Sequence, residues 1–149
     1  MADITQIKQL REETQASIAD CRKALDESNG DYKKAQDWLR KRGAEIAEKK
    51  AERETSQGVI ESYVHGNGKI GVIVALLCET DFVGRTDEFK KLAHEVAMQI
   101  SAMAPNDVDT LMKQEYIRDN SKTIEDLIKE AIGKVGENIK VREFSRIEL

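Results

Sequence analysis

The chain has 149 residues, 40 % hydrophobic and 35 % charged, with a net charge of −4. That length holds one ordinary domain or two small ones, with a modest core under a heavily charged surface. No apolar run approaches the roughly 18 residues of a membrane span, and the first ten residues lack the apolar stretch of a secretory signal, so the expectation is a cytoplasmic protein.

Residues 4–43 read as three short helices. Ile4, Ile7 and Leu10 stripe the first. Ser17 is the predicted cap of the second, with Asp20 completing a capping-box variant, and its apolar face is Ile18, Cys21, Ala24 and Leu25. Asn29 and Gly30 end it, since both tolerate the left-handed backbone of a helix C-terminus. Asp31 caps the third helix, whose stripe is Tyr32, Ala35, Trp38 and Leu39 and which Gly43 closes. Residues 44–55 are helix formers with little apolar character beyond Ile46. Glu45–Lys49 and Lys50–Glu54 have the i, i+4 spacing of helical ion pairs, so a solvated helix between domains is expected. The basic run Arg40 to Arg42 reads as a solvated helix end.

After Ser56 the period changes. Val59 to Val64 is β-prone, Gly66-Asn67-Gly68 signals a tight turn, and Ile70 to Cys78 is apolar on both alternating faces. This predicts a hairpin whose second strand is central and covered on both sides. Thr86 caps a helix over Asp87–Met103 striped by Phe89, Leu92, Ala93, Val96 and Ile100, with Pro105 beyond its end. A shorter helix holds Val108, Leu111 and Met112. Thr123 caps the last, with Asp126 at its third position, Ile124, Leu127, Ile128, Ala131 and Val135 along its face and Gly136 as its stop. A final strand runs through Ile139 and Val141. Past Glu143 its alternation slips, because Phe144 and Ile147 are out of phase, which places a bulge there. The fold class is α+β: an N-terminal helical domain (1–43), a helical linker (44–55), and a strand-strand-helix-helix-strand unit (56–149) with a small antiparallel sheet.

Little here resembles catalytic machinery. Cys21 and Cys78 lack CxxC spacing and read as small apolar residues rather than a disulfide or zinc site. His94-Glu95 begins like a zinc-protease motif, but Met98 stands where the second histidine belongs. Gly66 to Lys69 looks like a phosphate loop, yet Ile70 and a strand follow it. Residues 1–55 carry 12 basic and 12 acidic side chains and residues 56–149 carry 12 and 16, so neither part has the basic excess that a nucleic-acid backbone requires. The unusual segment is Glu79 to Gly84, where Phe82 sits between Asp81 and Val83 in the connection leaving the buried strand. From spacing alone the expectation is that this ring covers the sheet end; the alternative is an interface anchor.

Three blocks carry a resemblance. Leu10 to Thr14, Asp20 to Leu25 and Asn29 to Asp31 resemble the N-terminal domain of the elongation factor Ts family. Thr80-Asp81-Phe82-Val83 is similar to that family's core signature, preceded by Cys78 and Glu79. Gly136 to Arg142 resembles the close of its core subdomain. The resemblance spans nearly the whole chain and implies a ubiquitin-associated-like three-helix bundle joined to a core domain. It also implies guanine-nucleotide exchange on the GTPase elongation factor Tu, with no cofactor or metal of its own and no enzymatic step. By the same resemblance Phe82 wedges into the GTPase domain beside its magnesium and phosphate site, Asp81 positions the loop, Val83 supports the wedge and Thr80 completes the motif. Leu10, Arg11, Ile18 and Ala19, at the turn between helices one and two, would grip another GTPase helix. Longer members have two related core subdomains. Short ones resemble this chain and tend to pair as homodimers. The competing reading is a binding module that uses only the residue 1–43 bundle, as in chaperone-like proteins; it leaves the second and third blocks unexplained.

Overall fold

The computed structural model describes residues 2–149. Three helices, α1 (Ile4–Thr14), α2 (Ile18–Glu27) and α3 (Tyr32–Lys50), are followed by the hairpin β1 (Gln57–His65) and β2 (Ile70–Cys78). Then come α4 (Asp81–Gly84), α5 (Asp87–Met103) and α6 (Val108–Lys113), a small hairpin β3 (Glu115–Tyr116) and β4 (Asp119–Thr123), α7 (Ile124–Val135) and β5 (Ile139–Glu148). The main sheet is antiparallel in the order β1-β2-β5. The predicted α+β architecture is therefore present, with two elements the sequence reading missed: the one-turn helix α4 and the β3–β4 hairpin.

The predicted caps are made, although the box at Ser17 and Asp20 closes in one direction only. Ser17, Asp31, Thr86 and Thr123 each accept a hydrogen bond from a backbone N–H three residues on. At Thr123 the box closes in both directions, because Asp126 also accepts from the Thr123 N–H. Asn29 and Gly30 take positive φ after α2, and Gly136 does so after α7. The bundle core is Ile7, Leu10, Cys21, Ala24, Leu25, Ala35 and Leu39, against which Trp38 packs. Ile4 and Ile18, both predicted to face inward, are instead 68 % and 55 % exposed.

Helix α3 does not stop at Gly43. It continues to Lys50, and the basic run Arg40 to Arg42 lies mid-helix rather than at an end. The reason is tertiary: the second half of α3 lies on α7. Ala47 is buried in the core of the larger unit, and Gly133 of α7 comes so close that a Cβ there would stand 3.3 Å from Gly43 Cα. Two glycines cost the helices about 1 kcal/mol each in propensity, but their lack of side chains lets the backbones meet. The segment is thus docked, not solvated, and neither Glu45–Lys49 nor Lys50–Glu54 forms among the described residues' ion pairs. Lys50 instead donates to the Gly136 carbonyl.

Strand β2 is central, as expected, but covered on one face only. Val72, Val74, Leu76 and Cys78 point into the core with Phe89, Val96, Ile100, Ile128 and Ile132. On the other face Ile73 is 52 % exposed, beside the exposed Ile60, Val64 and Ile147. Strand registers Val64↔Gly71↔Ile147 and Ile60↔Ala75 place all four on that same open face. The expected bulge in β5 falls at Arg142, which has no partner between Val141↔Leu76 and Glu143↔Ala75. It brings Phe144 back to the core face.

Each unit has one tyrosine that ties two of its own elements together through a carboxylate. Tyr32 donates to Glu13 at 2.7 Å and Tyr116 to Glu95 at 2.8 Å. Loss of hydration, then the neighbouring carboxylate, pushes each phenol up to about 12. The folded protein therefore holds these protons more tightly than the unfolded chain. Their contribution to stability is intact below about pH 10 and is lost as pH rises from there toward 12. Urea melts at about pH 8 and about pH 11 should show a decline that Tyr116→Phe reduces. Equal declines in the two proteins would remove Tyr116 from the account.

Candidate functional site

Beyond Cys78 the chain leaves the sheet and turns at once into α4. Cys78 Sγ donates to the Thr80 carbonyl at 3.1 Å, and burial pushes this thiol up from its ordinary range. Thr80 is extended and caps α4, its hydroxyl oxygen accepting from the Val83 N–H at 3.3 Å. Val83 and Gly84 are buried, and Gly84 sits against Gly58 of β1 and the Cys78 sulfur. Thr86 then donates to the Val83 carbonyl at 2.7 Å and starts α5. One turn of helix is held at both ends and along one side.

The remaining side of α4 faces solvent with Asp81 and Phe82. Phe82 is 82 % exposed and is the one exposed residue among the described Phe, Tyr and Trp side chains. It does not cover the sheet end. Leaving such a ring in water forgoes roughly 1.5–3 kcal/mol, which a partner with a matching pocket would recover. Asp81 pairs with Arg85 at 2.6 Å, but both are well exposed, so the pair adds little to stability and is free to exchange partners.

Thr80, Asp81, Phe82 and Val83 thus come together as one presented unit: two residues outward, one buried, one capping. The bundle residues behave differently. Leu10 is fully buried, so its side chain supports α1 from beneath. Arg11, Ile18 and Ala19 are exposed around the α1–α2 turn. His94 does not join any catalytic group. It stacks edge-on against Tyr63, with Nδ1 3.8 Å from Glu61. Among the described residues no cluster of His, Cys, Asp and Glu could hold a metal ion, and no helix is long and apolar enough to cross a membrane.

A residue that spacing did not single out is Glu137. Both its carboxylate oxygens accept from Thr80, one from the N–H at 2.9 Å and one from the hydroxyl at 2.6 Å. In return Glu79 accepts from the Asn138 N–H at 2.7 Å. The Cys78↔Ile139 register makes these pairs adjacent, and no local pattern in the sequence announces that.

The family model for elongation factor TS matches residues 79–149, beginning at the residue that opens this loop. Across the chain, the elongation factor Ts of Coprothermobacter proteolyticus is 43 % identical, covering 94 % of this chain and 94 % of that protein. That of Thermotoga maritima is 44 % identical over 96 % of this chain and 94 % of its own. The chain belongs to the elongation factor Ts family. The family's role is in translation elongation, through nucleotide exchange. The elongation factor Ts of Rippkaea orientalis is 41 % identical over the whole of this chain and 79 % of its own length.

Proposed function

We propose that this protein accelerates GDP release from elongation factor Tu by inserting the Asp81–Phe82 turn into the GTPase domain. The observation that carries this is a single exposed phenylalanine on a helix turn whose base is capped and buried. Phe82 enters between helices of the partner and displaces the segment that holds magnesium and the phosphates. Asp81 releases Arg85 and engages the disturbed segment. Val83 and Thr80 keep the turn from yielding as the ring is pressed. Arg11, Ile18 and Ala19 form a second grip, with Leu10 holding the surface that carries them.

No bond is made or broken by this chain. The work is done by coupling: a surface that binds the nucleotide-free partner better than the GDP-loaded one must weaken GDP in the same proportion as GDP weakens it. GTP then refills the site and expels the factor. Two separate apolar clusters, one in the bundle and one in the core unit, fit this two-point grip, while residues 44–50 continue α3 and place Ala47 in the larger cluster rather than forming a free linker. Cytoplasmic action follows from the partner. The test is release of a fluorescent GDP analogue from elongation factor Tu with and without this protein. Unaltered release with the folded protein would refute the proposal.

A homodimer belongs to the same reading. Ile60, Val64, Ile73 and Ile147 make one open apolar face of the sheet, and contiguous patches of this kind mark association surfaces. The two-fold repetition of one patch needs no second surface. Sedimentation at micromolar concentration should give a dimer, and Ile73→Asp a folded monomer. A wild-type monomer would count against pairing.

A further inference from the structure

We infer that Glu137 is a positioning residue for nucleotide exchange, acting only through the orientation it gives Phe82; this rests on the reading of Phe82 above. Helix α4 has four residues, too few to hold itself as a helix, so the direction of Phe82 is decided by what fixes its ends. At the leading end that is Glu137. Its two carboxylate oxygens are both on Thr80, the residue that caps α4. The backbone ladder of β2 and β5 ends at Cys78↔Ile139, and beyond it carboxylates take over. Glu137 reaches across to Thr80, and Glu79 reaches back to the Asn138 N–H. The crossing is reciprocal and uses ionised acceptors, which give short, directional bonds.

The residues on either side of Glu137, together with Glu79, also hold the chain at the end of α3. Asn138, 2 % exposed, donates through Nδ2 to the Ala51 and Arg53 carbonyls at 3.3 and 2.9 Å. Lys50 donates to the Gly136 carbonyl, and Arg53 lies 3.7 Å from Glu79. Residues 136–138 therefore bind the helix leading from the bundle on one side and the Phe82 turn on the other. A grip at the bundle and a wedge at Phe82 are held at one fixed separation by this clasp.

The experiment is stimulated release of the fluorescent GDP analogue from elongation factor Tu, followed to saturation with full-length variants. Glu137→Ala should lower the maximal rate roughly 10- to 100-fold, the size expected when an acting group is misplaced by about 1 Å. Glu137→Gln, which keeps one acceptor oxygen, should fall between. Thr80→Val, which removes both the hydroxyl donated to Glu137 and the cap on Val83, should lose at least as much as Glu137→Ala, and Glu137→Gln carries the test if Glu137→Ala does not fold. In a Phe82→Ala background Glu137→Ala should cause no further loss, since its effect passes through the ring. Wild-type maximal rates in folded Glu137→Ala, Glu137→Gln or Thr80→Val, or losses that add in the double variant, overturn the inference while leaving Phe82 as the wedge. A wild-type rate in Phe82→Ala alone overturns the underlying function and this inference with it.

Discussion

Phe82→Ala should fold and melt like the parent protein yet lose nearly all of its ability to release GDP from elongation factor Tu. The two halves of this result have separate physical grounds. The ring is 82 % exposed and absent from the core cluster, and substitutions at such positions usually stay within about 0.5 kcal/mol. The turn beneath it is held by Thr80, Val83 and Thr86, none of which depends on the ring. An aromatic anchor that enters a partner's pocket, by contrast, costs about 2–4 kcal/mol on truncation. If that sum is spent on separating the partner's helices, stimulated release falls roughly 30- to 1000-fold. Phe82→Leu, which keeps an apolar wedge of smaller reach, should retain part of the activity. Asp81→Ala should lose less than Phe82→Ala, because Asp81 redirects the loop but brings little buried area. Full stimulation by folded Phe82→Ala would remove the wedge from the mechanism.

Gly58→Ala is expected to be the most damaging single methyl group in the sheet. Gly58 has φ of +147°, and a Cβ there would lie 2.1 Å from the Leu76 carbonyl oxygen and 2.8 Å from Leu77 Cα. Both obstacles are backbone of the central strand and have no rotamer to change. Either β1 shifts off β2 or the ladder bends, at about 3 kcal/mol. For a protein of this size that lowers the melting temperature by roughly 6–12 °C. Gly71 is the control. It lies in β2 of the same sheet, and a Cβ there meets nothing within 4 Å, so Gly71→Ala should be close to neutral. Gly84→Ala meets only ordinary contacts at 3.5 Å and beyond and should fall near the control. Because Gly84 of α4 rests on Gly58, the Gly58 variant should also lose exchange activity, and in greater proportion than its unfolded fraction explains. Melting temperatures for the three variants in one buffer decide the point. Equal values for Gly58→Ala and Gly71→Ala would mean that β1 does not approach β2 this closely.

These contrasts show where local pattern stops being informative. Helices α5 and α7 were legible to the residue, because each joins a threonine cap, a 3.6-residue stripe and a stop at Pro105 or Gly136. The hairpin was legible because glycines at positive φ bracket Asn67 between two β-prone runs. A bulge in β5 was legible from the out-of-phase Phe144 and Ile147, but it falls at Arg142 rather than past Glu143, and it brings Phe144 to the core face while Ile147 stays on the open one. Helix α4 was not, since four residues contain no period. The β3–β4 hairpin was not, since its strands are short and mostly polar. At the site, the motif residues Thr80 to Val83 could be named from their resemblance, but spacing alone favoured Phe82 covering the sheet end, and the structure puts the ring in solvent instead.

By itself, then, the sequence determined what is decided within a turn or two of chain: where helices start and stop, which stripe each buries, where the sheet turns back. Hydrogen bonds to a cap and the periods of helix and strand are local, and residues four or fewer apart settle them. Tertiary structure alone decided the rest. Gly43 continues a helix because Gly133 leaves room for it and Ala47 is buried beyond it. Ile73 stays exposed because no element among the described residues crosses that face of the sheet. Phe82 faces solvent because Val83 and Gly84 take the inward side and Glu137, distant in sequence, holds Thr80 in place. Each of these depends on contacts between distant residues, and such contacts exist only once the strand register has brought the two ends of the core unit together.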